Sequence, residues 1–213
     1  MVRTLPTIRP ARAEDADFIA GNILAAQRGH LTRCAFEIAL DRPEAECLAF
    51  LRRLTVARSK SWFHVSQFLI AEVDSEPAAA LCAFPAAGTR AAVRAAIEEV
   101  AGETGLDASE IFRRQGPAAN CWVQGGDGDW MLEYVASLSA HRGRGLVQAL
   151  IDRALAAGKA AGFARASISF LIGNEPAERC YAKAGFAFAE EKRDSTFEAL
   201  TGAPGFRRFE RAI

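Results

Sequence analysis

The chain has 213 residues, 22.9 kDa and a half-apolar composition, which suits one large domain, residues 1–213, with a single closed core. Its 26 Lys plus Arg balance 26 Asp plus Glu, so no net field draws it toward nucleic acid or an anionic membrane face, and neither is expected as a partner. The longest stretch without a charged side chain, residues 77–89, falls well short of the roughly 20 residues a spanning helix needs, so no transmembrane segment is expected.

The first 15 residues carry basic side chains but no apolar stretch and run at once into Glu14 and Asp15. They do not read as a secretory signal, and a cytoplasmic location is expected. Five cysteines form no C-x-x-C pair, and three histidines share no ligand spacing. Neither a disulfide framework nor a metal site is supported, and buried free thiols are expected.

Residues 7–10 read as a strand and 11–26 as a helix, with Phe18, Ile19, Ile23 and Leu24 as its apolar stripe and Glu14, Asp15 and Asp17 at its positive end. A second helix is expected over 43–58, with Pro43 in its first turn and Arg52, Arg53 and Arg58 on a solvated face. Residues 63–73 and 78–84 read as a hairpin around the polar connection 74–77. Helices follow at 89–104 and 107–115, then a loop at 116–129 whose Gly125, Gly126 and Gly128 suggest mobility and which is the one candidate linker. Residues 130–138 form an apolar strand, and 145–161 an amphipathic helix whose Leu146, Val147, Leu150, Ile151, Ala154 and Leu155 recur at helical spacing. A strand at 165–172, a short helix at 175–184 and two closing strands, 186–193 and 206–213, around a polar loop complete the chain. An edge left by the closing strands is available for pairing, so monomer and homodimer both stay open.

Arg142-Gly143-Arg144-Gly145-Leu146-Val147 joins the apolar strand to the amphipathic helix. Its glycines let the backbone turn tightly, and the following helix N-terminus and two arginines add positive charge, which together suit a pyrophosphate. A plain strand-to-helix turn would use the same residues. Neither a Walker loop nor a dinucleotide fingerprint is present, since position 148 is Gln148.

A second segment adds weight: Asn174, Ala177, Tyr181, Lys183, Gly185 and Phe186. With Arg142-x-x-Gly145-x-Val147, this pattern resembles the GNAT superfamily of acyl-CoA-dependent N-acyltransferases, strongly over residues 130–193 and in outline over 7–84. The resemblance implies an α/β fold with a mixed, mostly antiparallel central sheet of about seven strands flanked by helices, and a helical insertion, residues 88–129, before the fourth strand. It implies acetyl-CoA as cofactor and a primary amine, on a small molecule or a protein, as acceptor. The pantetheine arm would enter where strands 130–138 and 165–172 splay apart, along Val135, Ser137 and Leu138, with Arg142, Gly143, Arg144, Gly145, Leu146, Val147, Asn174, Ala177, Tyr181 and Lys183 completing the cofactor site. Backbone N–H groups near residues 135–138 would stabilise the oxyanion.

One departure stands out. Val147 occupies a position where the family usually carries Gly or Ala; it either crowds the pyrophosphate or joins the core face. Tyr181 is the expected acid, unless it only packs the helix. Glu133 is the expected base, being the only carboxylate of an apolar strand, where a charge is costly without a role or partner; a solvent-facing or ion-paired Glu133 is the competing reading. Asn174 also suits a simple helix N-cap. Acceptor contacts are expected from residues 30–36 and the insertion, with Arg33, Glu37, Trp122, Asp127 and Asp129 as scattered candidates, and the insertion is read as a lid. The alternative to an enzyme is a non-catalytic acyl-CoA-binding module of the same fold.

Overall fold

The computed structural model describes residues 6–213; the first five, part of the N-terminal segment read above, lie outside the described residues. Seven strands, β1 (Thr7–Pro10), β2 (Phe68–Val73), β3 (Glu76–Pro85), β4 (Asp129–Ser137), β5 (Arg165–Leu171), β6 (Ala187–Arg193) and β7 (Gly205–Ala212), form one sheet in the order β1-β2-β3-β4-β5-β7-β6. Every neighbouring pair is antiparallel except β4 and β5. Among the described residues eight α-helices flank it: α1 (Ala16–Arg28), α2 (Ala35–Leu40), α3 (Glu44–Thr55), α4 (Thr89–Thr104), α5 (Ala108–Cys121), α6 (Leu146–Ala160), α7 (Glu175–Lys183) and α8 (Ser195–Thr201).

The alternation of β3 divides the core. Ala80, Cys82 and Phe84 face the cluster built with α1, α3 and α4, whereas Ala79, Leu81 and Ala83 face the cluster built with α6 and α7. A strand covered on both faces reads as an unbroken apolar run, which is what residues 78–84 are. Helix α6 lays Leu150, Ile151 and Ala154 on the second face. No helix among the described residues is long and apolar enough to cross a membrane.

The structure departs from the sequence reading at five places, each with a local cause. The first helix opens as a 3-10 turn, Ala13–Asp15, because the buried Asp15 carboxylate accepts the Arg12 N–H at 2.7 Å and the two terminal guanidinium nitrogens of Arg9, at 2.7 and 2.9 Å. Residues 63–67 lie before β2 rather than in it, and the hairpin connection is only Asp74-Ser75, both with positive φ (53° and 67°). Two such residues make the tight turn that matches the strands' twist, so Glu76 and Pro77 belong to β3. Helix α2 was not anticipated; six residues are too few to show a period, and Glu37 closes its first turn by accepting the Cys34 N–H at 3.0 Å. Helix α5 runs through Gly116-Pro117 to Cys121, packing on α2 and α8. The polar loop 194–204 contains α8, capped by Asp194, whose Oδ1 accepts the Phe197 N–H at 2.8 Å.

The shortened loop, residues 122–128, is tied down rather than loose. Asp129 is fully buried and accepts hydrogen bonds from Arg165 Nε (2.6 Å), Ser167 Oγ (2.7 Å) and the Gly126 N–H (3.1 Å). Val123, also buried, offers its carbonyl to Ser169 Oγ. Arg52, Arg53 and Arg58 are exposed as expected, and each reaches a carboxylate, Asp17, Glu103 and Glu99 respectively. All five cysteines are free thiols; four are buried and Cys180 is half-buried.

Candidate active site

Parallel pairing of β4 with β5 covers only Asp129 to Leu132 against Arg165 to Ile168, although both strands continue. The cause is a bulge. The β3–β4 register shifts by one residue between the pairs Ala80↔Ala136 and Cys82↔Glu133, so Tyr134 and Val135 together oppose Leu81, and Tyr134 adopts a φ of +52°. Asn22 Nδ2 donates to the Tyr134 carbonyl at 2.6 Å and anchors the bulge to α1. Between the diverging strands opens a cavity of about 970 Å³, lined by Glu133 to Ser137 on one side and Ile168 to Leu171 on the other.

The start of α6 closes one end of this cavity. Gly143 and Gly145 have φ of +74° and +82°, values an L side chain adopts only with strain, and Gly145 is the N-cap residue. No side chain caps α6, so the N–H groups of its first turn stay available to an anion at the positive end of the helix dipole. Arg142 lies beside them on the cavity wall, and Leu146 turns into the core. Val147 is half-buried, packs on the second core cluster and also lines the cavity.

Helix α7 forms the next wall with Asn174, Ala177, Tyr181 and Lys183. Asn174 is the N-cap of α7, its Oδ1 accepting the Ala177 N–H at 3.3 Å. Tyr181 is buried, with its ring edge-on to Phe170 at 5.4 Å. Burial, then the nearby Cys180 thiol and the Glu133 carboxylate, push its phenol far above the ordinary value, so it stays protonated.

Glu133 is half-buried, and its Oε1 is shielded from solvent with no hydrogen-bond partner among the described residues. Nor does Glu133 take part in an ion pair there, and the residue keeps part of its surface exposed. Burial pushes its pKa up to about 8. His141, next to Arg142 on the cavity wall, has a shielded Nδ1 with no partner among the described residues. Two orphaned polar atoms in one cavity mark it as a place where a ligand or water completes the hydrogen bonding.

Of the cofactor residues expected from sequence, Leu138 and Arg144 lie outside the cavity lining. The Leu138 N–H donates to the Ala78 carbonyl at 2.8 Å, so it is taken up by β3. Ladder bonds alternate along a strand, which leaves the Ser137 N–H on the side away from β3, toward the gap.

Of the expected acceptor stretch 30–36, His30, Leu31, Cys34, Ala35 and Phe36 line the cavity, and of the five scattered candidates Trp122 does. Glu37 is held by Arg28 and by the Cys34 N–H, with Arg28 pulling its pKa down to about 2. Arg33 turns to the Glu37 carbonyl and Asp41, Asp129 is the buried loop anchor, and Asp127 is exposed outside the cavity. The insertion supplies a wall instead, through Val93 and Ile97 of α4 and Ala118 of α5. Phe36 falls within the expected stretch 30–36, whereas sequence reasoning missed Trp62, Phe63, Tyr134 and His141; all five are on the lining. For His141 a signal existed in its place beside Arg142; for the missed aromatics none did, because they converge from distant segments.

Residues 32–186 match the model of the acetyltransferase (GNAT) family. Among solved structures the chain is similar to an acetyltransferase (TM-score 0.71, 20% identity, covering 97% of this chain and 99% of that one). It is also similar to an N-acetyltransferase from Staphylococcus aureus Mu50 (0.68, 20%, 96% and 100%) and to the polyamine N-acetyltransferase of Drosophila melanogaster, which forms N-acetylagmatine (0.55, 14%, 98% and 100%). At these identities the likeness is one of fold. No curated protein matches the chain. The family match spans most of the sequence and takes in β4, the glycine loop and α7, and the chain belongs to the GNAT family of acetyltransferases.

Proposed function

We propose that this protein transfers an acetyl group from acetyl-CoA to a primary amine, which attacks the thioester directly. One observation carries the reading: a carboxylate with an orphaned oxygen and a pKa near 8 shares a cavity with a phenol held protonated. Burial-shifted titratable groups of this kind cluster at sites of acid–base chemistry, which favours an enzyme over a passive binding module.

The chain fits the cofactor. The uncapped start of α6 and Arg142 suit a pyrophosphate, the gap-facing edge of β4 at Val135 and Ser137 suits an amide-bearing arm laid alongside it, and Asn174 and Lys183 lie on the opposite wall. Acetyl-CoA, when bound, supplies an activated acyl group, so no side-chain nucleophile is required. Glu133 accepts the proton that an ammonium must lose before its nitrogen can attack, directly or through one water. The N–H groups along the splayed edge of β4 donate to the developing oxyanion. Tyr181 keeps its proton near neutral pH and donates a hydrogen bond from its hydroxyl to the negative charge developing on the departing sulfur, without giving up the proton.

The test is the thermal midpoint with saturating acetyl-CoA, free CoA or ATP, followed by thiol release with a panel of amines. Ligand at about 100 times its Kd adds roughly 2.7 kcal/mol, about 5–10 °C for a chain of this size. A shift with both CoA species but not ATP, and thiol release that requires an amine, are expected. Binding without release with any amine would favour the non-catalytic alternative.

A further inference from the structure

Five aromatic side chains from four separate segments meet on the side of the cavity nearest α1, α2 and the insertion: Phe36, Trp62, Phe63, Trp122 and Tyr134. Trp62 lies 5.3 Å from Trp122 between ring centroids, Phe63 stacks on Tyr134 at 5.5 Å, and Phe36 meets Phe63 edge-on at 5.7 Å. Phe84 stacks behind Trp62 at 5.4 Å, so the wall is backed by core. Trp62 and Tyr134 pair their polar tips with each other, Trp62 Nε1 donating to the Tyr134 hydroxyl at 3.1 Å. What remains turned to the cavity is ring surface, extended by Val93 and Ile97.

This box is built before any ligand arrives. Trp122 is fixed by its neighbours: the Val123 carbonyl accepts Ser169 Oγ, and Gln124 Nε2 donates to the Ala86 carbonyl at 3.0 Å. Preformed apolar walls bind a matching group without the ordering cost a flexible site incurs. Its charge is equally selective. Among the described residues lining the cavity, Glu133 is the sole carboxylate, whereas Arg90, Arg142 and Lys183 are cations. A second ammonium entering the box would lose part of its water and meet ring faces, which attract it only weakly, but no carboxylate.

We infer that the acceptor is a monoamine carrying its amino group on a short tether from an aromatic or bulky apolar group, with the ring held by Trp62, Phe63, Trp122 and Tyr134 and the nitrogen delivered to Glu133. The inference rests on the acetyl-transfer reading and adds the acceptor class to it. Tyr134 makes the link, because it follows Glu133 in β4 and presents its ring to the box.

Thiol release is compared for 2-phenylethylamine, hexylamine and 1,4-diaminobutane at saturating acetyl-CoA. The arylamine is expected to exceed the diamine in kcat/KM by at least about 100-fold, with hexylamine between them. Trp122→Ala is expected to raise KM for 2-phenylethylamine by roughly 10- to 100-fold while the acetyl-CoA thermal shift is unchanged, which also reports that the variant is folded. Ala119→Glu, at an exposed lining position of α5, places a carboxylate on the wall and is expected to narrow the arylamine-to-diamine ratio at least tenfold. A diamine turned over as well as the arylamine, or an unchanged arylamine KM in folded Trp122→Ala, overturns the acceptor class and leaves acetyl transfer standing. No release with any amine despite an acetyl-CoA shift overturns both.

Discussion

Replacing Glu133 by Gln separates its chemical role from its cost to the fold. The native carboxyl holds its proton up to about pH 8, whereas the unfolded chain releases it near 4.5. Between those values the native state binds more protons than the unfolded one, so this group's contribution to stability falls as pH rises. At about 1.4 kcal/mol per tenfold change in acidity, the whole window amounts to a ceiling of roughly 5 kcal/mol. Glu133 lines an open cavity in which water relaxes around the charge, so about half of that, roughly 2–3 kcal/mol, is expected. Thermal melts at pH 5, 7 and 9 should show Glu133→Gln gaining on the wild type as pH rises, by about 5–10 °C in Tm at pH 9. The same variant should lose roughly 100- to 10,000-fold in kcat/KM. With an acceptor amine whose own pKa lies well below 7, the wild-type acidic limb near pH 8 should vanish in the variant. Stability profiles that run parallel from pH 5 to 9 would refute the argument that Glu133 is desolvated and unpaired.

Three further substitutions test other parts of the structure. Tyr181→Phe keeps the edge-on ring contact with Phe170 and removes only the hydroxyl, so kcat should fall roughly 10- to 1,000-fold with the acetyl-CoA thermal shift preserved. Asp129→Ala removes the partner of half-exposed Arg165 and the acceptor of the Ser167 hydroxyl and the Gly126 N–H, and should cost about 1–3 kcal/mol in denaturant unfolding. Gly158→Ala, a change that favours a free helix, places a methyl 2.6 Å from the Trp130 ring; a loss of about 1–3 kcal/mol is expected as α6 moves off β4, and a gain would show that the two elements are not in rigid contact.

Contiguous signals were readable and convergent ones were not. The period of residues 89–104 gives α4 to the residue, and the glycine loop and α7 were found because their working residues adjoin in the chain. Gly116-Pro117 misled, since that pair usually stops a helix, yet α5 continues because Cys121 at its end is buried in a cluster with Leu171, Phe197 and Ala203. Phe36, Trp62, Phe63, Trp122 and Tyr134 carry no shared spacing; only the sheet and the packing of α2 and α5 bring them to one wall. Leu138 was assigned to the cofactor edge from its position near the end of β4, and only the register shows that its N–H belongs to β3.

The bulge at Tyr134 connects these observations. A bulky residue at φ +52° is strained, on the order of 1–2 kcal/mol, and nothing in its identity announces that conformation. The surroundings impose it: Asn22 takes the carbonyl, Trp62 takes the hydroxyl, and Phe63 and Phe68 stack on the ring. One extra residue in β4 thereby parts β4 from β5, opens the gap in which an acyl donor fits, and sets Glu133 on its wall. The aromatic side chains that hold the bulge are in large part those that line the acceptor box. Weakening that box should therefore disturb more than acceptor affinity. Truncating Trp62, which both lines the box and bonds the bulge residue, should lower kcat as well as raise KM, whereas Trp122, which touches only the box, should act on KM alone.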